Sequence, residues 1–295
     1  MKLRAATRSS ALARWQSEYI AALLRASDPS ITVEMVLVET TGDRYRSAPI
    51  HELGGQGIFT AEVQTALLDG RADIAVHSAK DLPSRTADEL VLAAVPFRGD
   101  PRDALVGRRL DALELGATVA TGSVRRQAQL AALRPDLHFT DLRGNIQTRL
   151  AKVPAGGAIV MAFAALERLG LDGLAAQVFD PDEMVPQVGQ GALAVECRKG
   201  DPSAEVVATI EHTPSRLCVD AERAFLAELG GGCDLPVGAY ATIDASGNLT
   251  VLGLVAAIDG RQIVRRSASG HDPSEVGARL AADVLSAGGR SLLDR

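Results

Sequence analysis

The stretch Pro96-Phe97-Arg98-Gly99-Asp100-Pro101 separates two parts of the sequence that repeat one pattern. Over residues 3–95, and again over residues 118–170, short apolar runs typical of buried strands alternate with segments typical of helices. Successive strand–helix units indicate an α/β domain with a mainly parallel sheet. Because proline and glycine interrupt regular structure, we interpret the stretch itself as a crossing between two such domains.

A third region begins near Pro214 and has a different texture. A helix predicted over about 215–229 precedes three stretches whose apolar and polar residues alternate as in half-buried strands, at 237–243, 249–256 and 263–269. A last helix is predicted over about 274–286. This pattern predicts a small α+β C-terminal domain with a three-stranded antiparallel sheet.

Composition narrows the class of protein. The 295 residues, 46% hydrophobic and 23% charged, are typical of a globular protein of two or three domains. No apolar run reaches the roughly 18 residues of a membrane helix, and Met1–Arg8 lacks the apolar segment of a secretory signal. Three cysteines cannot all pair, which favours a cytoplasmic chain. The net charge of −6 argues against a general nucleic-acid-binding surface.

Arginines stand at three predicted helix starts, in Thr7-Arg8-Ser9-Ser10, in Thr121-Gly122-Ser123-Val124-Arg125-Arg126 and in Arg143-Gly144-Asn145-Ile146-Gln147-Thr148-Arg149. A cation in the first turn of a helix is disfavoured by roughly 0.3–1 kcal/mol, because the exposed N–H groups there are partly positive. A small ligand with several negative groups would compensate, held by N–H groups, hydroxyls and guanidinium groups together. The negative groups of this ligand could be either carboxylates or phosphates. The alternative is that the arginines face solvent or pair with nearby acids.

A polar loop, His77-Ser78-Ala79-Lys80-Asp81-Leu82-Pro83, follows a predicted buried strand. Ligands of α/β domains bind where strands end, so this loop is a candidate site. Asp81, ionised among cations, is suited to act as a general base or to stabilise a cationic intermediate. The alternative is a turn closed by a Lys80–Asp81 ion pair, with His77 a strand-end residue.

Cys233 follows Gly230-Gly231-Gly232, which predicts an exposed loop and an accessible thiol. Cys197 and Cys218 are instead predicted to be buried in a strand and a helix. No Cys-x-x-Cys or His-Glu-x-x-His spacing occurs, so no metal site is expected. Gly189-Gln190-Gly191-Ala192-Leu193-Ala194 matches a dinucleotide pattern, but no helix follows it as that pattern requires.

Taken together, the motifs resemble those of the porphobilinogen deaminase (hydroxymethylbilane synthase) family from Leu3 to the last helix. The resemblance rests on six motifs in family order: Ala6–Ala13, Val76–Pro83, Thr121–Arg126, Asp141–Arg149, Val188–Ala192 and Gly231–Gly238. It implies a transferase that joins four porphobilinogen units head to tail, releases ammonia each time, and serves tetrapyrrole and haem biosynthesis. Each pyrrole bears acetate and propionate groups, which agrees with the negatively charged ligand expected from the arginines.

The resemblance also implies roles for single residues. Asp81 is the catalytic residue, which stabilises the azafulvenium electrophile left when ammonia departs. Cys233 carries a covalent dipyrromethane cofactor through a thioether. The remaining cofactor-binding positions are Lys80, Ser123, Arg125, Arg126 and Gly144. The substrate-binding positions are Arg8, Ser10, Thr121, Arg143, Arg149 and Arg168.

The family's architecture implies two domains like those of periplasmic binding proteins and a small domain that carries the cysteine. Domain 1 would comprise residues 1–96 and 191–208, domain 2 residues 100–186, and domain 3 residues 213–295. A cytoplasmic monomer without nucleic-acid or membrane partners is expected. Gln56 and Ala61 stand where many relatives have lysines, and Gly122 where a serine is common, so no ligand role is carried over to these positions.

Two other functions remain open. A non-catalytic solute-binding protein would have a similar fold, although the third domain with Cys233 and the missing export signal speak against it. The second is a degenerate relative that binds a tetrapyrrole without making one. The presence of Asp81 and of the arginines argues against it.

Overall fold

The computed structural model describes residues 1–44, 60–231 and 235–293. These residues form two compact units: Met1–Gly99 with Ala192–Arg216, and Asp100–Gly191 with Leu217–Arg295. The first boundary therefore falls between Gly99 and Asp100, inside the turn-rich stretch. The division into three domains, with the boundaries given above, stays a prediction. In the part of the chain described, no helix has both the length and the apolar character needed to cross a bilayer.

Strands and helices alternate through both units. The strands are β1 Lys2–Arg8, β2 Thr32–Val38, β3 Ile74–Ser78, β4 Leu90–Ala94, β5 Asp103–Gly107, β6 Thr118–Ala120, β7 His138–Thr140, β8 Ala158–Ala162, β9 Ala175–Val178, β10 Leu193–Arg198, β11 Val237–Ile243, β12 Leu249–Ala256 and β13 Ile263–Gly270. The helices are α1 Ala11–Ser27, α2 Thr41–Arg44, α3 Ala61–Leu68, α4 Val124–Leu133, α5 Ile146–Leu150, α6 Phe163–Glu167, α7 Ser203–Ala208, α8 Thr213–Glu228, α9 Pro273–Val284 and α10 Arg290–Leu293.

The first unit is built on a five-stranded sheet in the order β2-β1-β3-β10-β4. β1 pairs in parallel with β2 and β3, whereas β10 is antiparallel to β3 and β4, so only β10 of these strands runs against the others. Neighbouring residues of β1 point to opposite faces. Leu3 packs into a cluster with Ile20 and Leu24 of α1, and Ala6 packs with Val63 and Leu67 of α3. Helices thus cover both faces of the sheet.

The second unit repeats this arrangement in the order β7-β6-β8-β5-β9. β6 pairs in parallel with β7 and β8, and β5 is antiparallel to β8 and β9. The prediction of mainly parallel sheets is therefore confirmed, with one reversed strand in each. Val119, Leu130 and Phe179 fill one side of the sheet, and Ile159, Met161 and Leu166 the other.

The reversed strands share one feature that matters for the site. Each follows a crossing of the chain, and each therefore starts at the edge where the parallel strands end. Leu193, the first residue of β10, pairs with Ser78 at the end of β3. Asp103, the first residue of β5, pairs with Ala162 at the end of β8. Ligands of α/β sheets bind at this edge.

The C-terminal region is a three-stranded antiparallel sheet, β11-β12-β13, packed against α8 and α9. Phe225 of α8 and Leu280 of α9 belong to its core and leave no room for a side chain at Gly253 of β12. The buried carboxylate of Glu222 accepts hydrogen bonds from the N–H groups of Gly189 (2.7 Å) and Ala241 (2.8 Å). The expected fold class, two α/β sheets and a small α+β region, is confirmed.

Candidate functional site

Asp81 ends a 3₁₀ turn, Ala79–Asp81, that begins directly after β3. The turn is fixed from two sides: the Ala79 N–H donates to the Ala192 carbonyl oxygen at 3.0 Å, and Gln16 Nε2 of α1 donates to Ser78 Oγ at 2.8 Å. Asp81 itself is partly exposed. In the described ranges, no hydrogen bond or ion pair engages its carboxylate, so the alternative of a Lys80–Asp81 ion pair is not observed.

A buried contact between a histidine and a glutamate begins in the strand just before this turn. His77 Nε2 of β3 is 3.2 Å from Glu196 Oε2 of β10, and Gln64 Nε2 of α3 donates to the same oxygen at 2.9 Å. The His77 and Glu196 side chains are 3% and 1% exposed, so water does not screen the interaction. His77 is thus part of a buried polar network beneath Asp81, and sequence reasoning missed its partner Glu196.

Arg8 and Ser10 lie at the same edge of this sheet as Lys80 and Asp81, because β1 and β3 are parallel neighbours. The Ser10 hydroxyl accepts the Ala13 N–H at 3.2 Å and caps α1, as predicted. The first turn of α1 contains no acidic residue. The structure therefore brings together the four site residues predicted in the first unit.

In the second unit, Thr121 and Ser123 shape the loop between β6 and α4. Thr121 Oγ1 accepts the Ser123 N–H at 3.2 Å, and Ser123 Oγ accepts the Arg126 N–H at 3.5 Å, which confirms the predicted helix cap. A side chain at Gly122 would place its Cβ 2.9 Å from the Leu142 carbonyl oxygen. Glycine at this departure from the family pattern therefore suits the close approach of the neighbouring loop.

Arg125 and Arg126 do not face solvent but enclose a buried acid, Asp103. Arg126 Nε and Nη2 lie 3.0 and 2.8 Å from Asp103 Oδ1, and Arg125 Nη1 lies 2.8 Å from Asp103 Oδ2. Burial opposes ionisation of the carboxyl, but the two guanidinium groups outweigh it and lower the pKa of Asp103. Burial lowers the pKa of Arg125, against the opposing effect of Asp103. At this helix start, an acid of the chain supplies part of the compensation expected from a ligand.

Gln190 lies near the point where the chain returns to the first unit, and it bonds to Asp103 and to Pro101 near the point where the chain enters the second unit. Its Nε2 donates to Asp103 Oδ1 at 2.9 Å and to the Pro101 carbonyl oxygen at 2.7 Å. Gln190 is fully buried, so these hydrogen bonds are protected from water. Sequence reasoning missed both Asp103 and this role of Gln190. The available signal was an acid placed directly before the apolar run Ala104-Leu105-Val106.

Arg143 and Arg149 flank the single-turn helix α5, which Asn145 caps by accepting the Thr148 N–H at 2.9 Å. Arg143 Nε donates to Asp141 Oδ2 at 3.2 Å, and Arg149 Nε donates to the Gly144 carbonyl oxygen at 2.7 Å. Gly144 has φ of 115°, and a Cβ there would lie 2.7 Å from Thr148 Cγ2. Only glycine fits this position without strain.

Arg168 caps the carboxyl end of α6 and differs from the other arginines in standing after a helix rather than at its start. Its Nη2 donates to the Gly191 carbonyl oxygen at 2.6 Å. Apart from Cys233, the predicted site residues of the second unit lie on segments that follow β6, β7 or β8. Because these strands are parallel, their segments share one edge of the sheet.

Cys233 and Gln56 lie outside the described residues. Cys197 and Cys218 are buried, as predicted. Burial raises the pKa of the Cys197 thiol to about 11, so this thiol is protonated and poorly nucleophilic at neutral pH. Residues 1–44, 60–231 and 235–293 contain no group of three or more His, Cys, Asp or Glu side chains arranged to hold a metal ion.

Taken separately, each unit places cationic side chains at the carboxyl edge of its sheet, which suits recognition of a negatively charged ligand. Two family models match: porphobilinogen deaminase, dipyromethane cofactor binding domain, over residues 3–206, and porphobilinogen deaminase, C-terminal domain, over residues 216–286. A porphobilinogen deaminase of Acidothermus cellulolyticus is 48% identical, with 99% of this chain and 91% of that protein covered. One of Roseiflexus castenholzii is 45% identical over 97% of each chain. A solved structure of the methionine binding protein MetQ aligns with a TM-score of 0.46 and 13% identity over 71% of this chain and 89% of that one.

Proposed function

This chain belongs to the porphobilinogen deaminase family, and from that premise we propose that it is a hydroxymethylbilane synthase. In each step the bond between the aminomethyl carbon and nitrogen of porphobilinogen breaks. That carbon bonds to the free α-carbon of the preceding pyrrole, and the displaced hydrogen leaves with the amine as ammonia. After four additions, water releases the linear tetrapyrrole.

The observation that carries this proposal is the placement of Asp81. Its carboxylate stands at the carboxyl edge of a sheet, on a turn that is anchored by Gln16 of α1 and by Ala192, the residue before β10. A fixed carboxylate stabilises the positive charge that develops on a pyrrole as ammonia leaves, and it accepts hydrogen bonds from pyrrole N–H groups. Asp81 is therefore the proposed catalytic residue.

The arginines and hydroxyls supply recognition of the acetate and propionate groups. We assign Arg8, Ser10, Thr121, Arg143, Arg149 and Arg168 to substrate and Lys80, Ser123, Arg125, Arg126 and Gly144 to cofactor. The fit rests on two features of the chain: α1 and α4 start without an acidic residue, and Arg125 Nε and Nη2 are buried without a hydrogen-bond partner in the described part of the chain. Both features suit an anionic ligand.

Cys233 is the proposed attachment point for the cofactor, dipyrromethane, which supplies the pyrrole carbon to which the first substrate is added. Cys233 would hold the cofactor through a thioether between its sulfur and the former aminomethyl carbon, with the thiol proton leaving in the ammonia released. The remaining expectations form part of the same proposal: domain 1 at 1–96 and 191–208, domain 2 at 100–186, domain 3 at 213–295, and a cytoplasmic monomer without a nucleic-acid or membrane partner.

Intact mass spectrometry of the purified full chain, with and without porphobilinogen, tests the proposal. We expect a covalent dipyrromethane before addition and further increments of one pyrrole unit afterwards. Cys233→Ser removes all increments. Cys197→Ser is the matched control and keeps them, because the Cys197 thiol is buried and protonated.

An unmodified Cys233 in protein that consumes porphobilinogen contradicts the proposed attachment. A chain that binds porphobilinogen reversibly, without increments or ammonia release, is a solute-binding protein or a degenerate relative instead.

A further inference from the structure

Asp103, Arg125 and Arg126 form what we call the Asp103 cluster, at the carboxyl edge of the second sheet. The side chains are 0%, 3% and 8% exposed, respectively. One carboxylate and two guanidinium groups leave the cluster with one positive charge in excess. An uncompensated buried charge is strongly unfavourable, so this excess calls for a negative partner.

The two arginines use their nitrogens differently. All three guanidinium nitrogens of Arg126 are engaged: Nε and Nη2 bond to Asp103 Oδ1, and Nη1 donates to the Val160 carbonyl oxygen at 3.2 Å. Arg125 Nη1 faces Asp103 Oδ2 and donates to the Val185 carbonyl oxygen at 2.6 Å. Arg125 Nε and Nη2 are buried and have no hydrogen-bond partner within the described ranges. They form the side edge of the guanidinium, which binds a carboxylate through two parallel hydrogen bonds.

We propose that Asp103 is a positioning residue, which cancels the charge of Arg126 and holds Arg125 so that its Nε–Nη2 edge takes one carboxylate of the ligand. Within the proposed cofactor site, Arg126 then acts through charge balance and Arg125 through direct contact. This inference rests on the proposed function, in which the ligand carries acetate and propionate groups.

The backbone around Asp103 makes it suitable for positioning. It opens β5 opposite Ala162, and its carbonyl oxygen accepts the Phe179 N–H at 3.0 Å. Gln190 Nε2 holds Asp103 Oδ1 at 2.9 Å from the side of the return crossing. The carboxylate is therefore fixed before a ligand arrives, and so is the guanidinium that it orients. Such preorganisation lowers the entropy lost on binding.

The matched variants Arg125→Lys and Arg126→Lys test the division of roles. Lysine keeps the charge but cannot form the two-pronged edge. We expect Arg125→Lys to raise by about tenfold or more the porphobilinogen concentration needed for half-maximal loading of the apoprotein, since a charged hydrogen bond is lost. Arg126→Lys keeps the positive charge beside Asp103 and should raise this concentration by clearly less than Arg125→Lys does. The readout is the loaded fraction by intact mass, which does not depend on turnover.

A charge-balance comparison tests Asp103 directly. Arg126→Gln leaves Asp103 to neutralise Arg125, so the cluster has no net charge and loading weakens by about tenfold. The double variant Asp103→Asn with Arg126→Gln restores one positive charge and keeps an amide oxygen that can accept from Arg125 Nη1, so it should regain part of the loading. A merely structural role predicts the reverse, because the second substitution would add to the damage. Urea unfolding at pH 7 establishes which variants are folded.

Equal losses in Arg125→Lys and Arg126→Lys, or a folded double variant that loads no better than Arg126→Gln, overturn the inference. The lysine pair remains decisive if Arg126→Gln does not fold. Wild-type apoprotein that acquires no dipyrromethane overturns the proposed function instead, so the two failures are distinguishable.

Discussion

Asp81 and Asp103 stand at corresponding edges of two sheets with the same strand order, yet they have opposite surroundings. Asp81 follows the third parallel strand of its sheet, is partly exposed, and has a carboxylate without a partner in the described residues. Asp103 opens the reversed strand, is fully buried, and touches two arginines and Gln190. A carboxylate meant for a substrate has to stay available, whereas one that orients other side chains has to be in contact with them. The same edge of the sheet can therefore carry a carboxylate for catalysis, as at Asp81, or one that positions other side chains, as at Asp103.

The largest expected effect is on kcat, and it should arise at Asp81. Asp81→Asn should lower kcat for porphobilinogen consumption by about 10²–10⁴-fold, as loss of an acid–base or charge-stabilising group does. Its free energy of unfolding should change by less than about 0.5 kcal/mol. Ammonia release and urea unfolding measure the two quantities. Asp88→Asn, an exposed acid of the same segment, is the control and should change neither; near-normal turnover in Asp81→Asn removes the proposed role.

The second prediction concerns stability. Asp103→Asn should lower the free energy of unfolding by about 3–5 kcal/mol, because two buried guanidinium groups lose their counter-charge. Asp111→Asn is the control: Asp111 pairs with Arg109 in an exposed ion pair, whose loss costs about 0.2–1 kcal/mol. Equal costs for the two variants, measured by urea unfolding at pH 7, would show that burial does not distinguish the pairs.

The third prediction concerns how the contribution of Asp103 to the free energy of unfolding changes at acid pH. The pKa of Asp103 is lower in the folded chain than in the unfolded one, so its stabilisation is fully present above about pH 4 and is lost as pH falls. Below pH 4 it contributes a loss of about 1.4 kcal/mol per pH unit. Urea unfolding at a series of pH values should give a shallower dependence for Asp103→Asn than for wild type. Identical slopes would contradict the assignment.

The smallest effects should come from the glutamines that anchor each acid's segment. Gln16→Ala removes one hydrogen bond to Ser78 beneath Asp81 and should cost about 1 kcal/mol of stability. Gln190→Ala removes bonds to Asp103 and to Pro101 and should cost about 1–3 kcal/mol, since buried polar groups lose their partners. We further expect Gln16→Ala to reduce kcat and Gln190→Ala to impair cofactor loading. Impaired cofactor loading in Gln16→Ala together with a reduced kcat in Gln190→Ala would contradict the comparison.

Local features of the fold were predictable from the sequence. Ser10, Ser123 and Asn145 cap helices as expected, because a cap depends only on residues within one turn. The strand–helix alternation and the C-terminal sheet were also predicted. β5 and β9 were missed, since the pairing that defines them involves strands far away in sequence.

The site was predictable in class but not in detail. Arginines at the start of α4 indicated an anion, but the chain itself supplies one, Asp103, from 22 residues before Arg125. Arg143 likewise donates to Asp141. Pairing of arginines with nearby acids, the alternative interpretation, is thus realised in part. The periodicity of the sequence does not show that Asp103, which follows the crossing between the units, lies beside the start of α4.

The position of β10 has a consequence for synthesis on the ribosome. Among the strands of the described residues, β4 pairs only with β10, which also separates it from β3. When residue 99 emerges, the first sheet therefore lacks an inner strand, and β4 has no neighbour until residues 193–198 have been translated. β5 to β9 are all made before then, so the sheet that starts second is the first to be complete. The nascent N-terminal segment must wait in an unfinished state for about a third of the translation of the chain.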